Sequence, residues 1–329
     1  MNETSKGNPL TLSVVIPVFN SEQILPELCE RLSRVLPTVA GQYEVILVND
    51  GSSDRSWQVI SKQLSRFEWL KGIDLMRNYG QHGALLCGIR EAVFEVTVTM
   101  DDDLEHPPEE IPKLCEKLRE GYDVVYGTPK EQQHGFWRDL ASRLSKLVLQ
   151  NLMGREIARH VSAFRMFRTG VRDGFANYQG TFVSIDVLLT WGTTRFAAIQ
   201  VRHDPRHLGA SNYTFRELVT HAANMMTGFS TLPLQLASLI GFTLTIFGFG
   251  VLFWVVGRYL IEGVSVPGFA FLASTTAIFS GAQLFALGII GEYLARMHFR
   301  MMERPPYVVR SSFKGEAKEA TEVPGVKAT

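Results

Sequence analysis

The stretch from Val96 to Pro108, VTVTMDDDLEHPP, decides the fold. Its four leading residues are β-branched and favour a buried strand, and its two prolines end that strand and can open a helix. Three aspartates lie between them. Two like charges about 4 Å apart repel by roughly 4 kcal/mol at an effective dielectric near 20, so such a cluster must be solvated, protonated or bound to a cation. Two interpretations remain open: a Mg²⁺ or Mn²⁺ site, and an acidic loop in which Asp103 or Glu105 caps the next helix.

Composition and charge argue against nucleic-acid binding, a cysteine metal site and a secretory signal peptide. The chain has 329 residues with 33 basic and 33 acidic side chains, so no net positive charge points to nucleic acid as a partner. Its three cysteines, Cys29, Cys87 and Cys115, lack metal-ligand spacing and are expected to be buried and reduced. Residues 1–10 have no apolar core like that of a signal peptide, so a flexible N-terminus in the cytoplasm is expected.

Alternating strand and helix signals fill the first part of the chain. Strands are predicted at Ser13–Phe19, Tyr43–Val48, Ile73–Met76, Val96–Thr99 and Tyr122–Tyr126. The helical patterns between them predict an α/β fold with a mostly parallel sheet covered on both faces. In such sheets ligands bind at the carboxyl ends of the strands. The polar residues that follow four of these strands, Asn20, Asp50, Gly80 and Asp101, are therefore expected to line one edge.

Two long segments in the second part of the chain carry no charged residue. Each exceeds the roughly 20 apolar residues needed to span a bilayer, so residues 232–257 and 264–291 are predicted to be membrane spans rather than a buried helix pair of a soluble protein. The basic residues beyond them predict a cytoplasmic tail over residues 292–329 and place the N-terminal domain on the same side. From Ser311 onward the tail is polar and charged, and disorder is expected.

Two further segments are expected to lie near a membrane surface. Residues 136–153 place apolar side chains on one helical face and basic ones towards the other, which suits a helix in the headgroup layer and equally a helix packed on the sheet. Residues 213–231 contain several Met and Phe residues and are predicted to run along the membrane into the first span.

Seven motifs resemble, in their order and spacing, those of the polyisoprenyl-phosphate glycosyltransferases of GT-A family 2. They read IPVFN from Ile16, VNDGSSD from Val48, RNYGQHGA from Arg77, MDDDLEHPPEEIP from Met100, GYDVVYGT from Gly121, GEYLARM from Gly291 and RPPY from Arg304. The family includes bactoprenol glucosyltransferases, the aminoarabinose transferase of lipid A modification and dolichol-phosphate mannose synthase. The resemblance covers Leu12 to Val309. It implies a GT-A nucleotide-sugar domain over residues 11–212, an inverting reaction and a homo-oligomer, typically a tetramer.

The resemblance also implies roles on the donor side. The family's D-x-D motif falls on Asp101 and Asp103, which would hold Mg²⁺ or Mn²⁺ on the sugar-nucleotide diphosphate, while Glu105 takes the place of the family's usual third ligand, Gln. The residues implied to bind the nucleotide are Pro17, Asn20, Asp50, Gly80, Gln81 and Asp102. The family's Glu after the Asn is Ser21 here, so one nucleotide contact has no counterpart.

The acceptor side departs from the family pattern at two places. The family's Asp before a Phe-Arg pair has no counterpart in residues 159–163, and its phosphate-binding Lys is Asn212 here. A phosphate monoester with a second pKa of about 6 is already ionised at neutral pH, so a general base is not required. The implied catalytic residues are Asp103, His160 and Arg165. The implied acceptor-phosphate site consists of Arg165, Arg168, Arg206, Ser211, Asn212 and Tyr213. For each arginine, a surface position over an anionic membrane is the alternative.

The sequence therefore predicts an inverting, metal-dependent transferase that moves a sugar from a nucleotide donor, expected to be UDP-linked, to polyprenyl phosphate. The protein is expected in a prokaryotic inner membrane with two spans, where it makes a polyprenyl-monophosphate sugar for cell-envelope glycan or lipid modification. Three alternatives stay open: a processive polysaccharide synthase, although the chain has no Q-x-x-R-W motif, a family member with a different lipid acceptor, and a non-catalytic paralogue that binds nucleotide or lipid.

Overall fold

The computed structural model describes residues 10–129, 155–158, 160–180, 182–204, 232–262, 268–302 and 304–315. The chain divides into two compact units, one formed by Met1–Leu218 with Pro305–Thr329 and the other by Val219–Arg304. The segments predicted to lie at the membrane surface, residues 136–153 and 213–231, fall outside the described residues, so those two predictions stay predictions.

A single sheet forms the centre of the first unit, and the described residues contribute eight strands to it. These are β1 (Thr11–Val18), β2 (Gln42–Asn49), β3 (Leu70–Leu75), β4 (Val96–Thr99), β5 (Val124–Pro129), β6 (Arg165–Arg168), β7 (Phe196–Val201) and β8 (Val309–Lys314). Their order is β7-β5-β6-β4-β1-β2-β3-β8. Strands β1 to β4 run parallel, as do β5 and β7, whereas β6 and β8 run antiparallel to their neighbours.

Helices cover the sheet on both faces. They are α1 (Leu25–Val39), α2 (Ser56–Leu64), α3 (Gln81–Glu91), α4 (Ile111–Arg119), α5 (Arg155–Ala158) and α6 (Ile185–Gly192), with 3₁₀ turns at Pro108–Glu110 and Thr169–Phe175. Leucines three or four residues apart form the buried face of α1, at Leu25, Leu28, Leu32 and Leu36. They share a core with alternate residues of β1, such as Val14 and Ile16, because side chains of a strand point to opposite faces in turn.

The other face of β1 receives α3 at very short range. A Cβ atom added at Gly88 would lie 2.3 Å from Cγ1 of Val15 and 3.1 Å from Cγ2 of Val48. Glycine is therefore what allows α3 to lie directly on β1 and β2. This contact matters for the site, since it holds the N-terminus of α3 above the carboxyl ends of these two strands.

The predicted α/β fold with a mostly parallel, two-sided sheet is confirmed. All five predicted strands are present, with ends that differ by a few residues, and the three cysteines are buried as expected. The disorder predicted from Ser311 onward is wrong for Ser311–Lys314. These residues belong to β8, which pairs with β3, and Phe313 packs against Trp57 with ring centroids 5.9 Å apart. A polar composition favours disorder only when no partner strand is available, and here the edge of β3 provides one.

The second unit contains two long apolar helices, α7 (Leu232–Glu262) and α8 (Phe269–Met301). Within them, Pro233–Ile261 and Ile278–His298 have mean hydropathies of 2.3 and 1.4. At 1.5 Å per residue, helices of 31 and 33 residues reach about 47 and 50 Å, which exceeds a hydrocarbon core of about 30 Å. Both are thus long and apolar enough to cross a membrane, and many of their large apolar side chains are exposed, as the predicted spans require.

Candidate functional site

A cleft of about 320 Å³ opens where the carboxyl ends of β1, β2 and β4 meet the loop after β3. Its lining comprises Pro17, Val18, Phe19, Asp50, Asn78, Gly80, Gln81, Asp101, Asp102 and Asp103. Five of the six predicted nucleotide-binding residues and both D-x-D aspartates belong to this lining. The structure therefore brings these residues together at one edge of the sheet, while the lining residues Val18, Phe19 and Asn78 were not predicted.

Asp50 directly follows β2 and is almost fully buried, with 2 % of its surface exposed. Burial raises the pKa of its carboxyl group, while hydrogen bonds from the backbone N–H groups of Tyr79 and Gly80 act in the opposite direction. The Tyr79 N–H lies 2.7 Å from Oδ1 of Asp50. A Cβ added at Gly51, whose φ is 66°, would meet the backbone of Asn78 at 2.6 Å. The β2–α2 turn and the loop after β3 are thus packed against each other beside the cleft.

Asn20 directly follows Phe19, which lines the cleft. It adopts a left-handed backbone conformation with φ of 55°, which asparagine tolerates better than most residues. Its Oδ1 accepts a hydrogen bond from the Ser53 N–H at 2.8 Å, and its own N–H donates to Oγ of Ser52 at 3.0 Å. In the structure Asn20 therefore joins the β1–α1 and β2–α2 loops beside the cleft.

The aspartates after β4 form the acidic end of the cleft. Burial, followed by the neighbouring charges of Asp103 and Asp102, raises the pKa of Asp101 to about 7. Burial likewise raises the pKa of Asp102 to about 6. Nε2 of Gln81 donates to Oδ1 of Asp101 at 2.5 Å, and the Phe19 N–H donates to Oδ2 of Asp102 at 3.3 Å. This end of the cleft therefore concentrates negative charge that solvent does not fully stabilise.

The turn that follows these aspartates directs Glu105 away from them. Leu104 is buried with φ of 60°, a conformation that costs a side chain roughly 1–2 kcal/mol. Oε2 of Glu105 lies 3.3 Å from Nε2 of His203, and the Glu105 carbonyl accepts the Asp204 N–H at 2.8 Å. Within the described ranges, no group of three or more His, Cys, Asp or Glu side chains is arranged to hold a metal ion. Of the three carboxylates predicted to bind a metal, Asp101 and Asp103 line the cleft, and Glu105 contacts His203.

Arg165 lies beside this acidic end, at the first residue of β6 and opposite Thr99 of β4. Only 1 % of its surface is exposed, and its guanidinium pairs with the carboxylate of Asp186, which also accepts a hydrogen bond from the Tyr126 hydroxyl at 3.1 Å. The positive charge of Arg165 lowers the pKa of Asp101, against the larger effects of burial and of the neighbouring aspartates. The signal for Asp186 in the sequence was a single acidic residue within an apolar helix, which needs a partner when buried.

The remaining acceptor-side residues are not brought to the cleft by the described parts of the chain. Arg168 pairs with Val96 at the other end of β4, about 10 Å from Arg165 at 3.3 Å per residue, and its Nε lies 3.5 Å from Asp123. His160 is exposed, and its N–H donates to the Ile157 carbonyl at 2.8 Å. The other predicted acceptor residues, Arg206, Ser211, Asn212 and Tyr213, lie outside the described residues.

His106, at the end of the acidic turn, is a buried histidine. The His106 ring stacks on Phe164 with centroids 5.5 Å apart and meets the edge of His203 at 5.0 Å. Burial lowers the pKa of His106 to about 4, so its ring is neutral at physiological pH. Sequence analysis missed this residue, because its role depends on Phe164 and His203, which are distant in the chain.

Comparison with known proteins places this site in a family. The family model described as glycosyl transferase family 2 matches residues 13–175. Two curated relatives, from Pectobacterium carotovorum subsp. carotovorum and Pectobacterium atrosepticum, are named undecaprenyl-phosphate 4-deoxy-4-formamido-L-arabinose transferase. Each is 34 % identical over 304 residues, which is 92 % of this chain and 93 % of the relative.

Among solved structures, the chain is similar to glucosyl-3-phosphoglycerate synthase from Mycobacterium tuberculosis, crystallised with Mn²⁺, UDP and glucosyl-3-phosphoglycerate. The TM-score is 0.50 at 17 % identity, over 66 % of this chain and 78 % of the synthase, which is a likeness of fold. The resemblance inferred from the motifs is confirmed, and the relatives match the aminoarabinose-transferase group within it. The cleft, the fold and these relatives together show that the chain belongs to glycosyltransferase family 2 and is a glycosyltransferase.

Proposed function

We propose that this glycosyltransferase binds a UDP-linked sugar in the cleft and transfers the sugar to polyprenyl phosphate with inversion at the anomeric carbon. The observation that carries the proposal is the cleft itself. It combines the buried Asp50, suited to contact a nucleoside, with the paired carboxylates of Asp101 and Asp103, suited to a metal-bound diphosphate.

The charge at the acidic end supports a requirement for Mg²⁺ or Mn²⁺. Protein sites for such ions commonly use one or two carboxylates together with substrate phosphates, so Asp101 and Asp103 are sufficient without Glu105. A bound cation would relieve the repulsion that raises the pKa of Asp101. When bound, the ion supplies charge neutralisation on the leaving diphosphate. Gln81 orients Asp101 through its hydrogen bond, and the buried Arg165 adds positive charge behind it.

The acceptor is proposed from the relatives together with the two apolar helices. The relatives' name specifies undecaprenyl phosphate, and the alignment with them covers 92 % of this chain. A polyprenyl phosphate is confined to a membrane, and α7 and α8 are long and apolar enough to anchor the enzyme there. The acceptor phosphate arrives ionised, so the site needs to align and neutralise it rather than deprotonate it.

Arg206, Ser211, Asn212 and Tyr213 remain proposed acceptor contacts, and His160 remains a proposed positioning residue for the acceptor. Arg168 is not included, because it lies at the opposite end of its strand. The basic residues after α8 support a cytoplasmic catalytic unit at a prokaryotic inner membrane, and the family resemblance supports a homo-oligomer.

A transfer assay tests the proposal. The purified full chain is incubated with Mn²⁺, undecaprenyl phosphate and a panel of UDP- and GDP-sugars that begins with UDP-4-deoxy-4-formamido-L-arabinose. We expect a lipid-linked monophosphate sugar from one UDP-sugar. We also expect Asp103→Asn to lower transfer by more than about a hundredfold, because one of two metal ligands loses its charge.

Asp173→Asn is the matched control, since Asp173 is an exposed carboxylate outside the cleft and the substitution changes charge equally. Wild-type turnover by Asp103→Asn would contradict the metal site. Absence of lipid-linked product with every donor, while UDP is still released, would contradict polyprenyl phosphate as the acceptor.

A further inference from the structure

The segment Pro305–Lys314, which follows α8 in the chain, returns to the sheet of the first unit; we call it the strap. Its β8 strand runs antiparallel to β3, with Ser312 opposite Ile73 and Ser311 opposite Asp74. The register shifts between Asp74 and Leu75, at the carboxyl end of β3. The strap therefore reaches the end of the strand from which the segment Met76–Gly83 departs. This segment consists of the loop after β3 and the first residues of α3, and we call it the donor loop.

The strap is hydrogen-bonded to the start of the donor loop and lies close to its end. At the start of the loop, the Met76 N–H donates to the Val308 carbonyl at 2.9 Å, and Nη2 of Arg310 donates to the Met76 carbonyl at 2.9 Å. At the other end, a Cβ added at Gly83 would lie 3.7 Å from the Pro306 carbonyl oxygen. The hydrogen bonds of Met76 therefore fix the start of the donor loop to the strap.

A buried polar chain links the strap to the cleft. Nη1 of Arg310 lies 3.1 Å from Oδ2 of Asp74, a residue with 3 % of its surface exposed. Oδ1 of Asp74 accepts a hydrogen bond from Nδ2 of Asn49 at 2.6 Å. Asn49 directly precedes Asp50, whose carboxylate accepts the Tyr79 N–H of the donor loop. Arg310 therefore compensates the buried carboxylate that supports the end of β2.

The same loop supplies the cleft with several of its surfaces. Asn78, Gly80 and Gln81 line the cleft, and Gln81 donates to Asp101. The donor loop is thus hydrogen-bonded to Asp50 through Tyr79, to Asp101 through Gln81 and to the strap through Met76. A change at the strap must alter either the position of this loop or the energy of the cleft-facing contacts.

We propose that Arg310 is a positioning residue for donor binding and that the strap holds the donor loop in the conformation that accepts the nucleotide. This inference rests on the proposed function, because it takes the nucleotide of the donor to be the ligand of the cleft. Arg310 touches neither substrate nor cleft, so its effect falls on the affinity for the donor more than on the chemical step.

Kinetics of strap variants test the inference. Removal of the guanidinium in Arg310→Ala raises the KM for the donor and the Kd for UDP with Mn²⁺ about tenfold, while kcat stays within about threefold of wild type. Arg310→Lys recovers most of this loss, because lysine retains the charge for Asp74 but loses the forked contact to Met76. Lys314→Ala is the matched control, since it removes an exposed charge from the same strand and leaves the donor loop untouched.

Hydrogen exchange on the wild-type full chain gives a second readout that does not depend on how well a variant folds. Coupling between two sites is reciprocal, so UDP with Mn²⁺ slows amide exchange in β8 as well as in the donor loop. Unchanged exchange in β8 on UDP binding, or an Arg310→Ala enzyme with wild-type donor KM, overturns the inference. Failure of wild-type protein to bind any nucleotide overturns the proposed function itself and the inference with it.

Discussion

Single residues at the acidic end of the cleft carry a cost in stability. Asp101 is held among Asp102 and Asp103 in a partly desolvated position, where its pKa reaches about 7. Two of the groups that influence this pKa favour the ionised form of Asp101: the positive charge of Arg165 and the hydrogen bond from Gln81. A carboxylate placed in this way destabilises the metal-free fold when it is ionised and becomes favourable when a cation binds.

We expect Asp101→Asn to raise the melting temperature of the metal-free protein at pH 8 and to abolish its stabilisation by Mn²⁺. The pKa of Asp101 is about 7 in the folded chain, against an ordinary value of 3.8, so the folded state binds more protons between these values. Stability from this group therefore falls as pH rises from about 4 to 7. Asparagine avoids that loss, and the gain should be a few degrees at pH 8 and close to zero at pH 4.

Thermal unfolding at both pH values, with and without Mn²⁺, measures this difference. Asp173→Asn, in the exposed control position, should show no such dependence on pH. An equal shift of the Asp101→Asn melting temperature at pH 4 and pH 8 would show that the ionised carboxylate is not the cause.

At the scale of elements, the site depends on how closely α3 lies on β1. Gly88 has no side chain where Val15 and Val48 approach it, and α3 carries Gln81 at its first turn. The position of Gln81 in the cleft therefore depends on how closely α3 packs against the sheet. The antiparallel β6 acts similarly on the other side of β4, because its register sets Arg165 beside the end of that strand.

We expect Gly88→Ala to destabilise the protein by about 1–3 kcal/mol and to raise the donor KM. A Cβ at 2.3 Å from the stiff β-branched Val15 must push α3 away from the sheet, which moves Gln81 relative to Asp101. Gly170→Ala is the control, because nothing lies within 4 Å of a Cβ added there. Denaturant unfolding and donor kinetics measure the two effects. An unchanged donor KM in a destabilised Gly88→Ala protein would show that donor binding does not depend on the packing of α3 against the sheet.

At the scale of the whole molecule, the chain combines a nucleotide-sugar domain with two apolar helices, and the strap joins the end of the second helix to the sheet in sequence. The basic residues that follow α8 predict which side of the membrane holds the sheet. The three native cysteines are buried, and burial raises the pKa of Cys29 and Cys87 to about 12 and that of Cys115 to about 11, so they react poorly with thiol reagents.

We therefore expect single introduced cysteines to report the topology. Ser265→Cys lies in sequence between α7 and α8 and should react with an impermeant maleimide on intact spheroplasts. Val93→Cys, at a residue with 68 % of its surface exposed in the first unit, should react only after lysis. The unsubstituted chain, with its three buried thiols, serves as the background. Labelling of Val93→Cys before lysis would contradict a cytoplasmic catalytic unit.

Several parts of the fold could be predicted from local sequence pattern. β-branched and apolar runs predicted the five strands, uncharged segments predicted α7 and α8, and turn residues after the parallel strands predicted the edge at which Asp50 and Asp101 meet. These features follow from periodicity, strand direction and hydrophobicity, because each of these is a property of residues that are close together in the chain.

Contacts between residues distant in the chain could not be predicted in this way and depend on the folded structure. It turned Glu105 towards His203, buried Arg165 against Asp186 and placed Arg168 at the far end of β6. It also paired β8 with β3, more than 230 residues away in the chain, as the Arg310–Asp74 contact shows. Such pairings depend on sheet order and register, because a buried charge or a strand edge is stabilised by whichever partner the fold brings near, and no local pattern names that partner.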